Sequence, residues 1–235
     1  MENDKLQKFK LSLKSKGIKY LLQNPSEIYL IFPLTLRVFK NRMKKDITEI
    51  FLLEMDLGPR EYDKSYTYAV GNNANELMQF VKDRINEDET LSGFNYKENI
   101  YLRMEKGDKY FILKKNGVIA SILFVSYSRT FISPVAYELK IPDGYVGIYD
   151  VYTLQEYRGK GLYQNLFNFC VDNLFKDGYR KAYLWLMKHN IPSIVVHNKL
   201  GMKTVVKVIM MKQKYGLRWK KVKEVNFDSN NLLKK

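Results

Sequence analysis

A chain of 235 residues, 46% hydrophobic and 14% aromatic, is long enough for one sizeable domain and too apolar to be disordered. One cysteine excludes an internal disulfide framework, and with two histidines no Cys/His ligand set can be assembled, so no metal is expected. The net charge of +15 sits at the ends: residues 1–46 carry eleven Lys/Arg against four Asp/Glu, residues 203–235 ten against two, and residues 47–202 nineteen of each. A balanced centre argues against nucleic acid as partner. The basic ends read either as solvated decoration or as attraction to an anionic surface such as lipid headgroups, a peripheral membrane contact through the N-terminal segment.

No signal-peptide core opens the chain, and the longest apolar run, residues 28–39, contains Pro33 and Arg37. It falls short of the roughly 20 apolar residues that a spanning helix needs, so a cytoplasmic protein is expected. With no repeat or Gly/Ser linker, the domain plan is a basic extension over 1–46, one domain over 47–215 and a basic tail over 216–235.

Within the extension, residues 4–22 place Leu6, Phe9, Leu13 and Leu21 at roughly helical spacing among lysines, a basic amphipathic pattern weakened by Gly17. Residues 47–57 read as a strand closed by Gly58-Pro59. Residues 73–85 read as a helix capped by Asn73, with Leu77, Phe80, Val81 and Ile85 on one side, and a second helical stretch ends near Gly107. Two apolar runs then flank Asn116-Gly117, a pair suited to the positive φ angles of a tight hairpin. Strand 145–153, helix 162–176, strand 181–187, a short helix from cap Asn190 to Gly201 and a strand from Lys203 complete a mixed α/β order.

Between strand 145–153 and helix 162–176 the chain reads "EYRGKGLY". A helix start offers unpaired N–H groups and a positive dipole end. Glycines let a phosphate approach that backbone, and Arg158 and Lys160 add donors. The residues alone support a phosphate or pyrophosphate site, or a plain surface turn. The spacing fits neither a P-loop nor a dinucleotide-binding loop, since Gln164 stands where the latter needs glycine.

The segments "IYDVYTLQEYRGKGLYQNLF" and "KAYLWLMKHNIPSIVVHNKLGM" together resemble the GNAT superfamily of acetyl-CoA-dependent N-acyltransferases. Its signature is a Gln or Arg, two free positions, a Gly, one free position and a closing small residue. A downstream strand, an Asn, a short helix and a Gly complete it. The resemblance covers about 145–210. It implies a GNAT-type mixed, mostly antiparallel sheet flanked by helices, here with the basic N-terminal extension.

It further implies acetyl-CoA, or another acyl-CoA, as co-substrate and a small-molecule amine as acceptor. Backbone amides from Tyr157 through Arg158, Gly159, Lys160 and Gly161 to Leu162 would cradle the pyrophosphate. The backbone of Val151, Tyr152 and Thr153 would pair with the pantetheine arm, and Asn190 and Ser193 would line its far side. Asp150 is the first candidate for the base that deprotonates the amine, Glu138 the second; the plainer reading of Asp150 is a hydrogen-bonded strand residue. His197 stands where many relatives place a tyrosine that protonates the departing thiolate, and it is equally readable as a packed side chain. Tyr163 departs from the small closing residue. The pattern is similar to bacterial members linked to cell-surface polysaccharides, which suggests an amino-sugar acceptor. A non-catalytic acyl-CoA-binding or membrane-surface module is the alternative.

Overall fold

The computed structural model describes residues 46–88, 91, 96–214 and 217–232. Apart from Asp46, the expected basic extension, with the patterns at 4–22 and 28–39, lies outside these residues. In chain order the elements are β1 (Asp46–Asp56), β2 (Thr67–Gly71), α1 (Met78–Glu87), α2 (Tyr96–Glu105), β3 (Lys109–Lys115), β4 (Val118–Ser126), β5 (Arg129–Ile132) and β6 (Tyr137–Lys140). There follow β7 (Tyr145–Thr153), α3 (Leu162–Lys176), β8 (Lys181–Met187), α4 (Ile191–Lys199), β9 (Thr204–Lys214) and β10 (Leu217–Asp228). The chain divides into two units; one holds residues 48–210 and those from 220 on, and everything below concerns it. Of the described residues, the other holds 46, 47, 211–214 and 217–219.

Eight strands form one sheet in the order β10-β9-β1-β8-β7-β4-β3-β2, and β5 and β6 make a separate hairpin. β2, β3, β4 and β7 pair antiparallel in turn, β1 pairs antiparallel with β8, and β7 with β8 is parallel. Strand alternation fills both faces. Along β3, Tyr110 and Ile112 join a core with Phe80, Val81 and Ile100 of α1 and α2, whereas Phe111 and Leu113 join the core under α3 with Leu166, Phe167 and Cys170. The sheet is thus sandwiched between α1/α2 and α3, a mixed, mostly antiparallel sheet flanked by helices.

Local chemistry sets the turns. Asn116 (φ 53) and Gly117 (φ 81) both adopt the left-handed backbone that the β3–β4 hairpin requires. Asn73 caps a short 3-10 turn, Ala74–Leu77, that leads into α1, so the helix itself starts later than its apolar pattern. Asn190 caps α4 by accepting from Ser193 N at 3.2 Å.

Two differences from the sequence reading have physical causes. The short strands β2, β5 and β6 carry too few residues for a legible period. The residues read as a basic tail from 216 on form β10, followed by a 3-10 turn at Ser229–Leu232. Only Val225 and Phe227 of that strand reach the core, Phe227 against Phe51. Its lysines lie on an edge strand, where charge discourages pairing with another chain, and that composition mimics a solvated tail. Among the described residues no helix is long and apolar enough to cross a membrane.

β1 lies inside the sheet, and Leu52 and Leu53 are fully buried there. Leu53→Ala is expected to cost about 2–5 kcal/mol in urea unfolding while leaving a single transition. A separate early transition would show that β1 is an appended strand rather than part of the domain.

Candidate active site

Two ion pairs from α1 and α2 meet β7 where its backbone is irregular. Opposite β4 the register shifts between Ile122 and Phe124: Ile122 faces Tyr152 and Phe124 faces Tyr149, so Asp150 and Val151 stand against the single residue Leu123. That is a β-bulge. Asp150 takes a positive φ of 45°, unusual outside glycine, which costs about 1–2 kcal/mol. Arg84 of α1 donates to Asp150 Oδ1 at 2.8 Å and Arg103 of α2 to Oδ2 at 2.5 Å, with the Tyr96 hydroxyl on Oδ2 at 3.1 Å. Arg84 also donates to the Tyr96 hydroxyl, and both guanidiniums stack on rings, Arg84 over Tyr152 and Arg103 over Phe124.

This arrangement decides what Asp150 can do. Burial alone would raise its pKa, but Arg103 and Arg84 more than offset that and hold it far below the usual carboxylate range. A carboxylate so held is a poor proton acceptor, which argues against the general-base role expected of it. The second candidate, Glu138, is exposed on the β5–β6 hairpin, where it faces Arg129 at 3.6 Å.

Beyond the bulge, β7 and β8 part. Their parallel register ends at Ile148–Leu184, although β7 continues to Thr153 and β8 to Met187. The edge of β7 from Tyr149 to Thr153 that would face β8 is therefore unpaired in the sheet. At the far end of that edge lies an open cleft of about 440 Å³ whose walls include Thr153, Gly159, Gly161, Tyr163 and, from α4, Val196 and Lys199.

The backbone at this cleft is specialised. Gly159 (φ 73) and Gly161 (φ 72) take left-handed conformations, and a Cβ on either would meet nothing within 4 Å, so a ligand can come close to the main chain. Tyr157 N and Arg158 N close a 3-10 turn onto Leu154 and Gln155. The N–H groups from Gly159 to Gln164, by contrast, have no partner among the described residues. The first helical bond recorded at this end runs from Asn165 N to Gly161 O. The donor run thus begins two residues later than the sequence reading placed it, and it spans the start of α3. Arg158 folds back, donating from Nε to Thr153 O at 2.9 Å, and Lys160 donates to Glu156 O.

Tyr163 and His197 join the two helices that wall this cleft. The Tyr163 hydroxyl meets His197 Nε2 at 2.7 Å, and His197 Nδ1 lies 2.7 Å from the Ser193 carbonyl. A carbonyl only accepts, so Nδ1 carries the proton and Nε2 accepts from Tyr163. Burial pushes the His197 pKa down to about 4, only partly countered by the Ser193 carbonyl. A neutral imidazole whose Nε2 lone pair is occupied has no proton there to give a departing thiolate. As placed, His197 braces α3 against α4, which argues against the acid role expected of it. Asn190 serves as a cap, and neither it nor Ser193 is in the wall of the cleft. Val151 packs toward the α3 core, while the Tyr152 hydroxyl donates to Glu87 at 2.8 Å, so only their backbones face the fork between the strands.

Sequence reasoning missed Arg84, Arg103 and Tyr96. The signal was present: Leu77, Val81 and Arg84, and likewise Tyr96, Ile100 and Arg103, follow helical spacing, which sets each arginine in line with an apolar stripe. A buried cation demands a buried anion.

Comparison with known proteins agrees with this geometry. A sequence model described as Acetyltransferase (GNAT) family matches residues 74–202, more than half of the chain. The chain belongs to that family, and its fold is the GNAT fold. Among solved structures it is similar to a chain described as a possible acetyltransferase from Clostridium difficile 630, at 18% identity and TM-score 0.44, covering 60% of this chain and 91% of that one. It is also similar to a GCN5-related N-acetyltransferase from Kribbella flavida (19%, TM-score 0.39, 60% and 50%) and an N-acetyltransferase from Staphylococcus aureus Mu50 (15%, 0.41, 60% and 86%). At these scores the likenesses add nothing to the family match. No curated protein matches the sequence.

Two outcomes follow from the ionic geometry. Asp150→Asn keeps the shape but leaves two arginines without a counter-charge, and is expected to cost about 3–5 kcal/mol in chemical denaturation at pH 7. The native Asp150 pKa is lowered, so its contribution is complete above about pH 4 and lost as the pH falls below that. His197 behaves differently: with its native pKa depressed, stability falls as the pH drops from about 6.5 toward 4, by at most ~3 kcal/mol. Melting curves between pH 7 and 4.5 should show that slope, and His197→Gln should flatten it. An equal slope in the variant would mean that His197 is not buried neutral.

Proposed function

We propose that this protein transfers an acetyl or longer acyl group from acyl-CoA to a primary amine, by direct attack of the amine on the thioester. The observation that carries the reading is continuity. A run of free amides at the start of α3 adjoins the unpaired edge of β7, and that edge leads back to the point where β7 and β8 separate. Anionic, extended and reactive portions of one ligand find complementary surfaces in that order.

In this reading the amides of Gly159 to Gln164 and the dipole of α3 hold a pyrophosphate, with Lys160 beside them. The unpaired backbone of Val151 to Thr153 binds an extended arm as a neighbouring strand would. An amide at the bulge polarises the thioester carbonyl, an oxyanion-type contribution. The acyl-CoA supplies the activated carbonyl and the leaving thiolate. The Arg84–Asp150–Arg103 clamp keeps the bulge, and therefore the fork, open without itself moving a proton. An amino sugar is one acceptor class consistent with the polar surroundings.

Thermal unfolding of the full chain with acetyl-CoA, CoA and a long-chain acyl-CoA tests this. At about 100 times its Kd a ligand that binds only the native state adds roughly 2.7 kcal/mol. Gly161→Asp, which puts a side chain and a negative charge at a left-handed position in the cradle, should abolish the rise while still melting cooperatively. If no CoA species shifts the folded wild type, acyl transfer is ruled out.

A further inference from the structure

A second cavity, of about 400 Å³, opens beside the fork, walled by Arg103, Lys106, Asp108, Arg129, Tyr149 and Trp185 among others. Tyr149 and Trp185 are the residues that follow the last paired positions, Ile148 and Leu184, so this cavity begins where the strands part. Thr153, in the wall of the first cleft, is four residues along the same strand from Tyr149, roughly 13 Å at the usual rise. One strand edge therefore runs from the amide cradle to this second cavity.

Its electrostatics are uneven. Three cations, Arg103, Lys106 and Arg129, face two carboxylates, Asp108 and Asp150. Asp150 is spent on Arg84 as well as Arg103. The exposed Lys106 ammonium has no ion-pair partner among the described residues, and Arg129 is held only by the exposed Glu138 at 3.6 Å. A bare ammonium entering here meets surplus positive charge, whereas an amine that brings its own anion is welcomed at the Lys106 and Arg129 side. The surplus also favours the neutral, nucleophilic form of the amine. Trp185, also in this wall, has a buried indole Nε1–H with no hydrogen-bond partner among the described residues.

Asp108 is the wall's other carboxylate. It is buried, forms no ion pair among the described residues, and accepts from the Tyr149 hydroxyl at 2.5 Å. Burial pushes its pKa up, with Tyr149, Ser126, Arg103 and Lys106 pulling the other way and the net upward. That leaves it a stronger base than Asp150.

We propose, building on the acyl-transfer reading, that this cavity is the acceptor site, that it selects a primary amine bearing a carboxylate or phosphate, and that Asp108 takes the amine's proton. The balance is complete. One ammonium proton passes to the Asp108 carboxylate, directly or through the Tyr149 hydroxyl. The freed nitrogen lone pair forms the C–N bond to the thioester carbon. Collapse of the adduct breaks the C–S bond, and the departing thiolate receives the second nitrogen proton. Asp108 then returns its proton to solvent.

The test uses the full chain, acetyl-CoA and amine pairs differing in an anion: ethanolamine with phosphoethanolamine, glucosamine with glucosamine 6-phosphate, and propylamine with β-alanine. Thiol release gives kcat/KM. The anionic member of at least one pair should be favoured tenfold or more, with the phosphate and carboxylate arms telling which anion is bound. Lys106→Glu combined with Arg129→Glu, both exposed positions, should erase that preference and leave the acetyl-CoA thermal shift intact. Asp108→Asn should lower kcat on the accepted probe at least about 100-fold with acetyl-CoA binding unchanged. Equal or better use of the neutral amines overturns the proposal, as does a preference that survives the double variant, or full activity in Asp108→Asn. Binding of acetyl-CoA with no anionic amine acetylated overturns it too. Failure to bind acetyl-CoA at all removes the acyl-transfer reading instead, and the two failures are told apart by the thermal shift.

Discussion

Asp150, held between Arg84 and Arg103, is the interaction on which the geometry of this protein turns. A strand residue with φ of 45° would ordinarily relax toward an extended conformation. Here two cations, each projecting from its own helix on the same face of the sheet, anchor the carboxylate in place. The ion pairs thereby tie α1 and α2 to the middle of β7 and fix the bulge. Aromatic faces from Tyr96, Tyr152, Phe124 and Tyr149 surround the guanidiniums and keep the cluster largely dry.

The bulge has two consequences. It turns Tyr149 and Asp150, which are consecutive, toward the same face, where simple alternation would have sent one of them under α3. It also coincides with the end of the β7–β8 register, so the sheet opens there into two diverging strands. One of those strands ends at a helix start lined with free amides, and the fork itself gives onto a cavity with surplus positive charge. A carboxylate that looks catalytic by position thus acts as a structural anchor. In the proposed reaction the proton goes instead to its less constrained neighbour, Asp108. The Tyr163–His197 contact plays a comparable part on the other side, bracing α3 against α4 around the first cleft.

Much of this was legible in the residues. Asn116-Gly117, the cap at Asn190 and the glycines at 159 and 161 announced their backbone roles because each needs a conformation or a donor that few residue types supply. The order of the longer strands and helices from 73 to 213 followed from periodicity, whereas the four-residue β5 and β6 were too short to show one. Other features escaped for physical reasons. β10 looked like a tail because an edge strand with lysines has the composition of solvated chain. The fates of Asp150 and His197 depended on partners 66 and 34 residues away, Arg84 and Tyr163. Local sequence can nominate an ionisable group, but its pKa is set by what the fold brings against it.

The central claim is that one continuous surface, from the amides at the start of α3 along the free edge of β7, holds the acyl donor. Amide hydrogen exchange with and without CoA, read by mass spectrometry on peptides covering 149–165, tests it most directly. Slowed exchange in Gly159–Gln164 together with Val151–Thr153, and little change in the β5–β6 hairpin, is the expected pattern. Binding of CoA with unchanged exchange in both segments would contradict the account, because the ligand would then lie elsewhere on the molecule.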